Sequence, residues 1–170
     1  MTATPGAFIV VMGVSAVGKS SVGRALADGL AVPFVDADDL HPAANVAKMR
    51  AQIPLTDADR RPWLTAVGTS LAAHPEGVVL ACSALRRSYR DQIRQAVPAT
   101  VFIHLSGSTD LLAARAAART GHFMPPELLA SQLAILQPLA ADEVGTTLDV
   151  TATVAELVVR ARQYLRNQGG

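Results

Sequence analysis

A parallel β-sheet covered by helices on both faces is the fold this sequence predicts. Three observations carry it: five short β-branched runs, longer segments of helical period between them, and near-continuous apolarity in most of the runs. The runs are Phe8–Met12, Val32–Asp36, Gly77–Cys82, Thr100–Leu105 and Thr146–Val150. Strands shielded on both faces have no reason to alternate apolar with polar residues, and FIVVM and GVVLAC do not.

The helical segments follow from spacing. Val22, Leu26 and Leu30 recur every fourth residue, as do Trp63, Val67 and Leu71. Pro62 either starts the Trp63 helix or kinks one begun near Thr56. Pro125 and Pro126 suit the first turn of a further helix that sets Leu129, Leu133 and Leu136 on one face. Thr153 and Glu156 form a capping-box pair ahead of Val154, Leu157, Val158 and Leu165. Right-handed crossovers are expected between the strands, and functional residues should follow the strands' carboxyl ends. The pattern does not dictate strand order.

Composition narrows the class. At 170 residues the chain suits one domain, 1–170, able to bury roughly 70% of its unfolded surface. Half the residues are hydrophobic and 17% charged, which excludes intrinsic disorder. A net charge of +1 gives no overall draw to nucleic acid or anionic membrane, and 4% aromatic residues argue against stacking on single strands. One cysteine, Cys82, rules out an internal disulfide and fits a packed residue at a strand end. His74 and His104 lack metal-ligand spacing and read as structural, as Trp63 reads as core. No apolar run reaches the ~18 residues of a membrane span, and a cytoplasmic protein is expected.

Directly after the first strand stands GVSAVGKS, Gly13, Val14, Ser15, Ala16, Val17, Gly18, Lys19 and Ser20, with Ser21 following. This is G-x-x-x-x-G-K-[ST] in the strand–loop–helix setting that gives it meaning. Backbone N–H groups of such a loop converge on phosphate oxygens, aided by the N-terminus of the next helix. Lys19 reaches the terminal phosphates and Ser20 is placed to ligate Mg²⁺. The chain's own composition yields on the order of 0.001 accidental matches to this pattern. The fold class sharpens accordingly to a P-loop NTPase-type three-layer α/β fold with ATP as nucleotide. An [NT]-K-x-D guanine loop is absent, since Lys19 follows Gly18 and Lys48 follows Ala47.

The second strand ends in acids, FVDADDLHP, while the third does not. Asp36 suits the shell of a Mg²⁺ ion, and Asp38 suits a base that takes the proton of an attacking hydroxyl. Asp39 points away from its neighbour and reads as a surface or capping residue.

With FVDADDLHP, NVAKM (45–49), PLTDADRRPWL (54–64), CSALRRSYRD (82–91), RAAARTGHFMP (115–125) and LQPLAADE (136–143), the chain resembles the gluconokinase family, small P-loop kinases related in fold to shikimate and adenylate kinases. The likeness spans nearly the whole length, although Ala43 and Ala44 stand where the family commonly carries basic residues. It implies ATP-dependent phosphorylation of D-gluconate, Mg²⁺ as cofactor, a possible homodimer, and a small helical lid over about 119–138. It further implies that Asp38, His41, Lys48, Arg60, Ser83, Arg86, His122 and Gln137 face the substrate. Arg guanidinium suits a sugar acid's carboxylate because its planar fork makes two parallel bonds. Arg115 and Arg119, four apart, lie on one helical face. By the resemblance, Arg115 lies against adenine and Arg119 crosses the triphosphate, which makes Lys19, Asp38 and Arg119 the catalytic set. Arg87 and Arg90 read as a solvated helix face. A kinase of another small hydroxy acid, such as shikimate, and a non-catalytic ATP-binding module are the alternatives.

Overall fold

The computed structural model describes residues 6–118 and 126–169. Five parallel strands form one sheet: β1 (Phe8–Met12), β2 (Phe34–Asp36), β3 (Val78–Ala81), β4 (Val101–Ser106) and β5 (Gly145–Asp149), in the order β2-β3-β1-β4-β5. Every expected strand is present, with ends within two residues of the expectation. The register sets Met12 beside His104, Val11 beside Ala81 and Asp36 beside Ala81.

The helices are α1 (Lys19–Leu30), α2 (Ala43–Arg50), α3 (Asp57–Ala72), α4 (Arg87–Ala96), α5 (Thr109–Ala118), α6 (Pro126–Ile135) and α7 (Val154–Gln168), with a 3-10 turn over Ala37–Leu40. Alternation along β1 divides the core. Ile9 and Val11 join Val22, Leu26, Leu112, Leu157 and Ala161 on one face. Val10 and Met12 join Trp63, Leu64, Val67, Leu71 and Ile93 on the other. With both faces filled, β1 and β3 are apolar throughout, whereas the edge strand β5, GTTLD, buries only Leu148.

Pro62 lies inside α3, which starts at Asp57 with Thr56 as its cap. Thr56 Oγ1 accepts from the Asp59 amide at 3.1 Å, and Asp59 Oδ2 accepts from the Thr56 amide at 2.9 Å. This capping box outweighs the lone proline, which costs one intrahelical bond. The Thr153–Glu156 box forms on α7 as expected, with both bonds at 3.2 Å.

One expectation is overturned on α4. Arg90 is wholly buried rather than solvated. Its Nε donates to Glu143 Oε1 at 2.7 Å and its Nη2 to Oε2 at 2.9 Å, while Nη1 donates to the Ala84 carbonyl at 2.9 Å. Spacing on α4 could not reveal this, because the neutralising carboxylate lies 53 residues further along the chain. Arg87 is half-exposed, but it too is paired, in a two-bond contact with Asp142 at 2.7 and 2.9 Å.

The topology positions the site. The chain leaves β1 for β2, returns to β3 beside β1, then crosses to β4 on β1's other side. The carboxyl ends of β1 and β3 therefore open onto a crevice where the strand order reverses. The loop after β1 and the segment after β3 meet there, the Gly13 amide donating to the Ser83 carbonyl at 3.3 Å.

Candidate active site

Two glycines shape the loop between β1 and α1. Gly13 has φ +149°, and a Cβ there would lie 2.7 Å from the Leu105 carbonyl oxygen. Gly18 has open space around it but φ +99°, so conformation rather than crowding requires glycine. Between them, Val14 and Val17 are sunk into the core at 2% exposure. Ser15, Ala16, Gly18, Lys19, Ser20 and Ser21 line a cleft of about 430 Å³ together with Asp36, Asp38 and Arg115. Of the residues expected at the nucleotide, these face one space, while the two valines anchor the loop from beneath.

Three of the charged groups lining the cleft, Lys19, Asp36 and Arg115, are tied by hydrogen bonds. Lys19 Nζ donates to the Val14 carbonyl at 3.0 Å, arching back over the loop. The Ser20 hydroxyl donates to Asp36 Oδ2 at 3.3 Å. The other oxygen, Asp36 Oδ1, accepts from the Asp38 amide at 3.0 Å and caps the 3-10 turn. With both oxygens engaged, Asp36 holds Asp38 at the turn. Ser20 and Asp36 are hard oxygen donors converging beside a phosphate loop, which suits Mg²⁺, an ion that keeps several waters and takes few protein ligands. No group of three or more His, Cys, Asp or Glu side chains able to hold a metal ion occurs among the described residues.

Asp38 is accessible to solvent yet sits within the concavity, where protein surrounds its carboxyl. This burial raises its pKa above 3.8, and the neighbouring Asp36 charge raises it further, against the opposing pull of Lys19. Asp39 is exposed, as expected. Arg115 lines the cleft with Nη2 on the Val150 carbonyl at 2.6 Å. Arg119 and His122 lie outside the described residues, as does part of the expected 119–138 lid.

The residues expected at the acceptor come from scattered segments, and of those described only Asp38 lines the cleft. His41 stacks on Trp63, ring centroids 4.2 Å apart and planes 12° from parallel. Trp63 is core, as expected, but serves also as a platform, its Nε1 donating to the Ala37 carbonyl at 2.7 Å. Burial, then the nearby Arg60 cation, lowers the His41 pKa. Arg60 Nη1 donates to the Leu55 carbonyl at 2.8 Å and to Tyr89 Oη at 3.1 Å. Lys48 is paired with Asp59 at 2.7 Å. Ser83 is half-buried, its carbonyl tied to Gly13. Arg86 has a buried Nε with no hydrogen-bond partner among the described residues. A buried guanidinium N–H left open on the protein side suits an incoming carboxylate. Gln137 reaches the same segment, its amide donating to the Leu85 carbonyl and its Oε1 accepting from the Arg87 amide, both at 2.7 Å.

Groups set aside from chemistry behave accordingly. Burial pushes the Cys82 thiol up to about 12, which suppresses the thiolate. Burial, with Arg90 adding to it, brings His104 down to about 4 and keeps its ring neutral. His74 Nδ1 bonds the Ser70 carbonyl at 2.7 Å on its own helix.

Comparison with known proteins decides the family. The family model for shikimate kinase matches residues 15–138. A gluconokinase from Gluconobacter oxydans is 50% identical over 141 residues, 80% of this chain and 78% of that protein. The crystal structure of a gluconokinase from Sinorhizobium meliloti matches at 48% identity with a TM-score of 0.89, over 96% of this chain and 93% of that one. The chain belongs to the gluconokinase family. A shikimate kinase from Acinetobacter baumannii in complex with shikimate, at 19% identity and a TM-score of 0.65 over 95% of this chain and 94% of that one, shares the fold. The match to the shikimate kinase model thus reports a common scaffold, and the high identities fall on gluconokinases. No helix among the described residues is long and apolar enough to cross a membrane.

Sequence reasoning missed three partners in this gluconokinase-family site. Gln132 of α6 accepts from the Ser15 amide of the phosphate loop at 2.7 Å. Tyr89 links Arg60 to Asp57. Glu143 neutralises Arg90. Only Glu143 had a visible signal: with Asp142 it closes the LQPLAADE stretch as one of its two acids.

Proposed function

We propose that this enzyme transfers the γ-phosphoryl group of ATP to the primary hydroxyl of D-gluconate, giving 6-phospho-D-gluconate and ADP. One observation carries the reading within the family: Asp38 opens into the same cleft as the phosphate loop and Lys19. The hydroxyl oxygen forms a bond to the γ-phosphorus as the bond to the β,γ-bridging oxygen breaks. Asp38 accepts the hydroxyl proton, and its raised pKa brings it nearer the working pH, which improves a general base. Lys19 and the inward amides of the loop offset charge on the phosphoryl oxygens. Ser20 and Asp36 would hold Mg²⁺, which would offset part of the negative charge on the phosphate oxygens. Arg119 is assigned to the same charge and His122 to the acceptor by family resemblance alone.

The acceptor's carboxylate is assigned to Arg86, whose open Nε supports a cationic grip, with Arg60 and Lys48 adding positive charge. His41, Ser83 and Gln137 supply polar groups for the hydroxyls. A coupled assay of ADP release over a panel of acceptors tests the reading. Gluconate is expected to give the highest kcat/KM. Greater kcat/KM with shikimate or another sugar acid would overturn the acceptor assignment, and ATP binding with no acceptor-dependent ADP release would leave a nucleotide-binding module instead.

A further inference from the structure

The geometry points to Gln132 as a positioning residue for phosphoryl transfer: its side-chain oxygen holds the entry half of the phosphate loop in its nucleotide-ready shape. This inference rests on the kinase reading above and adds a residue that lines neither ligand. The bond from the Ser15 amide to Gln132 Oε1, at 2.7 Å, joins residues 117 apart. It lands where the loop needs support. The next residue, Ala16, has φ +67°, a left-handed conformation that a Cβ disfavours.

A side-chain oxygen on a phosphate-loop amide could instead be a stand-in that an incoming phosphate displaces. The anchoring of α6 argues for a permanent strut. Leu129 of α6 is 3% exposed, in the same core cluster as Val14 and Val17 from the loop itself. Ile135 and Leu136, at the helix end, pack against both core clusters. Gln137 then makes its two bonds to Leu85 and Arg87, and the buried Arg90–Glu143 pair fixes the chain beyond. The helix is thus held at the acceptor side independently of any nucleotide. Gln132 projects from it onto Ser15, so α6 bridges the loop that grips the phosphoryl donor and the segment carrying Ser83 and Arg86. A neutral amide suits the place, because a carboxylate would bring negative charge towards the triphosphate.

The test uses the full chain labelled with ¹⁵N, the variants Gln132→Leu and Gln132→Glu, and ADP as probe. In the wild type the Ser15 amide should resist hydrogen exchange without nucleotide. In Gln132→Leu it should exchange at least about tenfold faster, and ADP should bind about three- to tenfold more weakly, the range of one hydrogen bond. Turnover should fall through kcat with little change in KM for gluconate. Gln132→Glu retains an acceptor, so Ser15 stays protected while ADP affinity still drops. Unchanged Ser15 exchange in Gln132→Leu would overturn the bond's role. ADP affinity within twofold of wild type would overturn positioning, and tighter ADP binding would mean the side chain competes with phosphate. The exchange and ADP measurements involve no gluconate, so a wild type inactive on gluconate would sink the proposed acceptor while these readouts still decide Gln132.

Discussion

The two halves proposed for the site are built by opposite means. The nucleotide half is mainly one contiguous stretch, Gly13 to Ser21, joined in the cleft by Arg115, and would work mostly through backbone amides. The acceptor half draws on the 3-10 turn, α2, α3, the segment after β3 and the end of α6, and it works through side chains. Its members lean on residues outside the set: His41 on Trp63, Lys48 on Asp59, Arg60 on Tyr89, Gln137 on the Arg87 amide. A backbone cradle is specified largely by residues at fixed intervals within one stretch. A side-chain pocket is specified only once distant segments have packed, so its residues cannot be ranked by spacing.

Substitutions should separate the halves, and the largest effect falls where they meet. Asp38→Asn should lower kcat by about 10²–10⁴, the worth of a general base, while ADP affinity measured by calorimetry stays near wild type. The acid limb of the wild-type pH–rate profile should lie above the ordinary carboxylate value of 3.8, since activity requires the deprotonated form and is lost as pH falls through a raised pKa. That limb should vanish in the variant, and transfer within a few-fold of wild type would remove Asp38 as the base.

Next comes the buried pair beneath the acceptor half. Arg90→Met removes two bonds to Glu143 but leaves those from Arg94 and the Ala140 amide, so it should cost about 1.5–3 kcal/mol in denaturant unfolding. Loss below about 1 kcal/mol would show that the pair contributes little. Burial pushes Glu143 up, but bonds from Arg90, the Ala140 amide and Arg94 outweigh it and bring the carboxyl down to about 2 from 4.5. Its stabilisation is therefore complete above about 4.5 and is lost as pH drops towards 2. Acid unfolding followed by circular dichroism should begin in that window.

Lys19→Ala should reduce kcat by about 10²–10³, equivalent to ~2.7–4 kcal/mol, with gluconate KM little changed. Near-normal turnover would remove the lysine from the chemistry. The smallest expected change is confined to the acceptor half. Arg86→Gln should raise KM for gluconate about 10- to 100-fold by removing a charge-assisted contact, with KM for ATP within twofold. A rise in both constants would place Arg86 in the scaffold instead.

Much of this was legible in the chain itself. The strands could be read because apolar residues fill both faces, and the phosphate loop because its geometry demands particular residues at fixed intervals. The Thr153–Glu156 box was equally local, whereas the Thr56–Asp59 box was hidden by a proline that helix spacing made hard to place. Arg90 shows where such reading fails. Its neighbours on α4 say nothing of Glu143, and an arginine without a known partner reads as solvated. Trp63 was legible as core, but the stacked His41 was not, since both sit on elements whose approach depends on the whole α3 layer.

Sequence alone determined the strand set, the phosphate loop, the acids after β2 and the likeness to gluconokinases, because each depends on neighbours within a few residues. Tertiary structure alone decided the strand order, the buried Arg90–Glu143 pair, the open Nε of Arg86 and the hold of Gln132 on Ser15. Those features join groups far apart in the chain, and only packing sets the distances at which charge, hydrogen bonding and burial act.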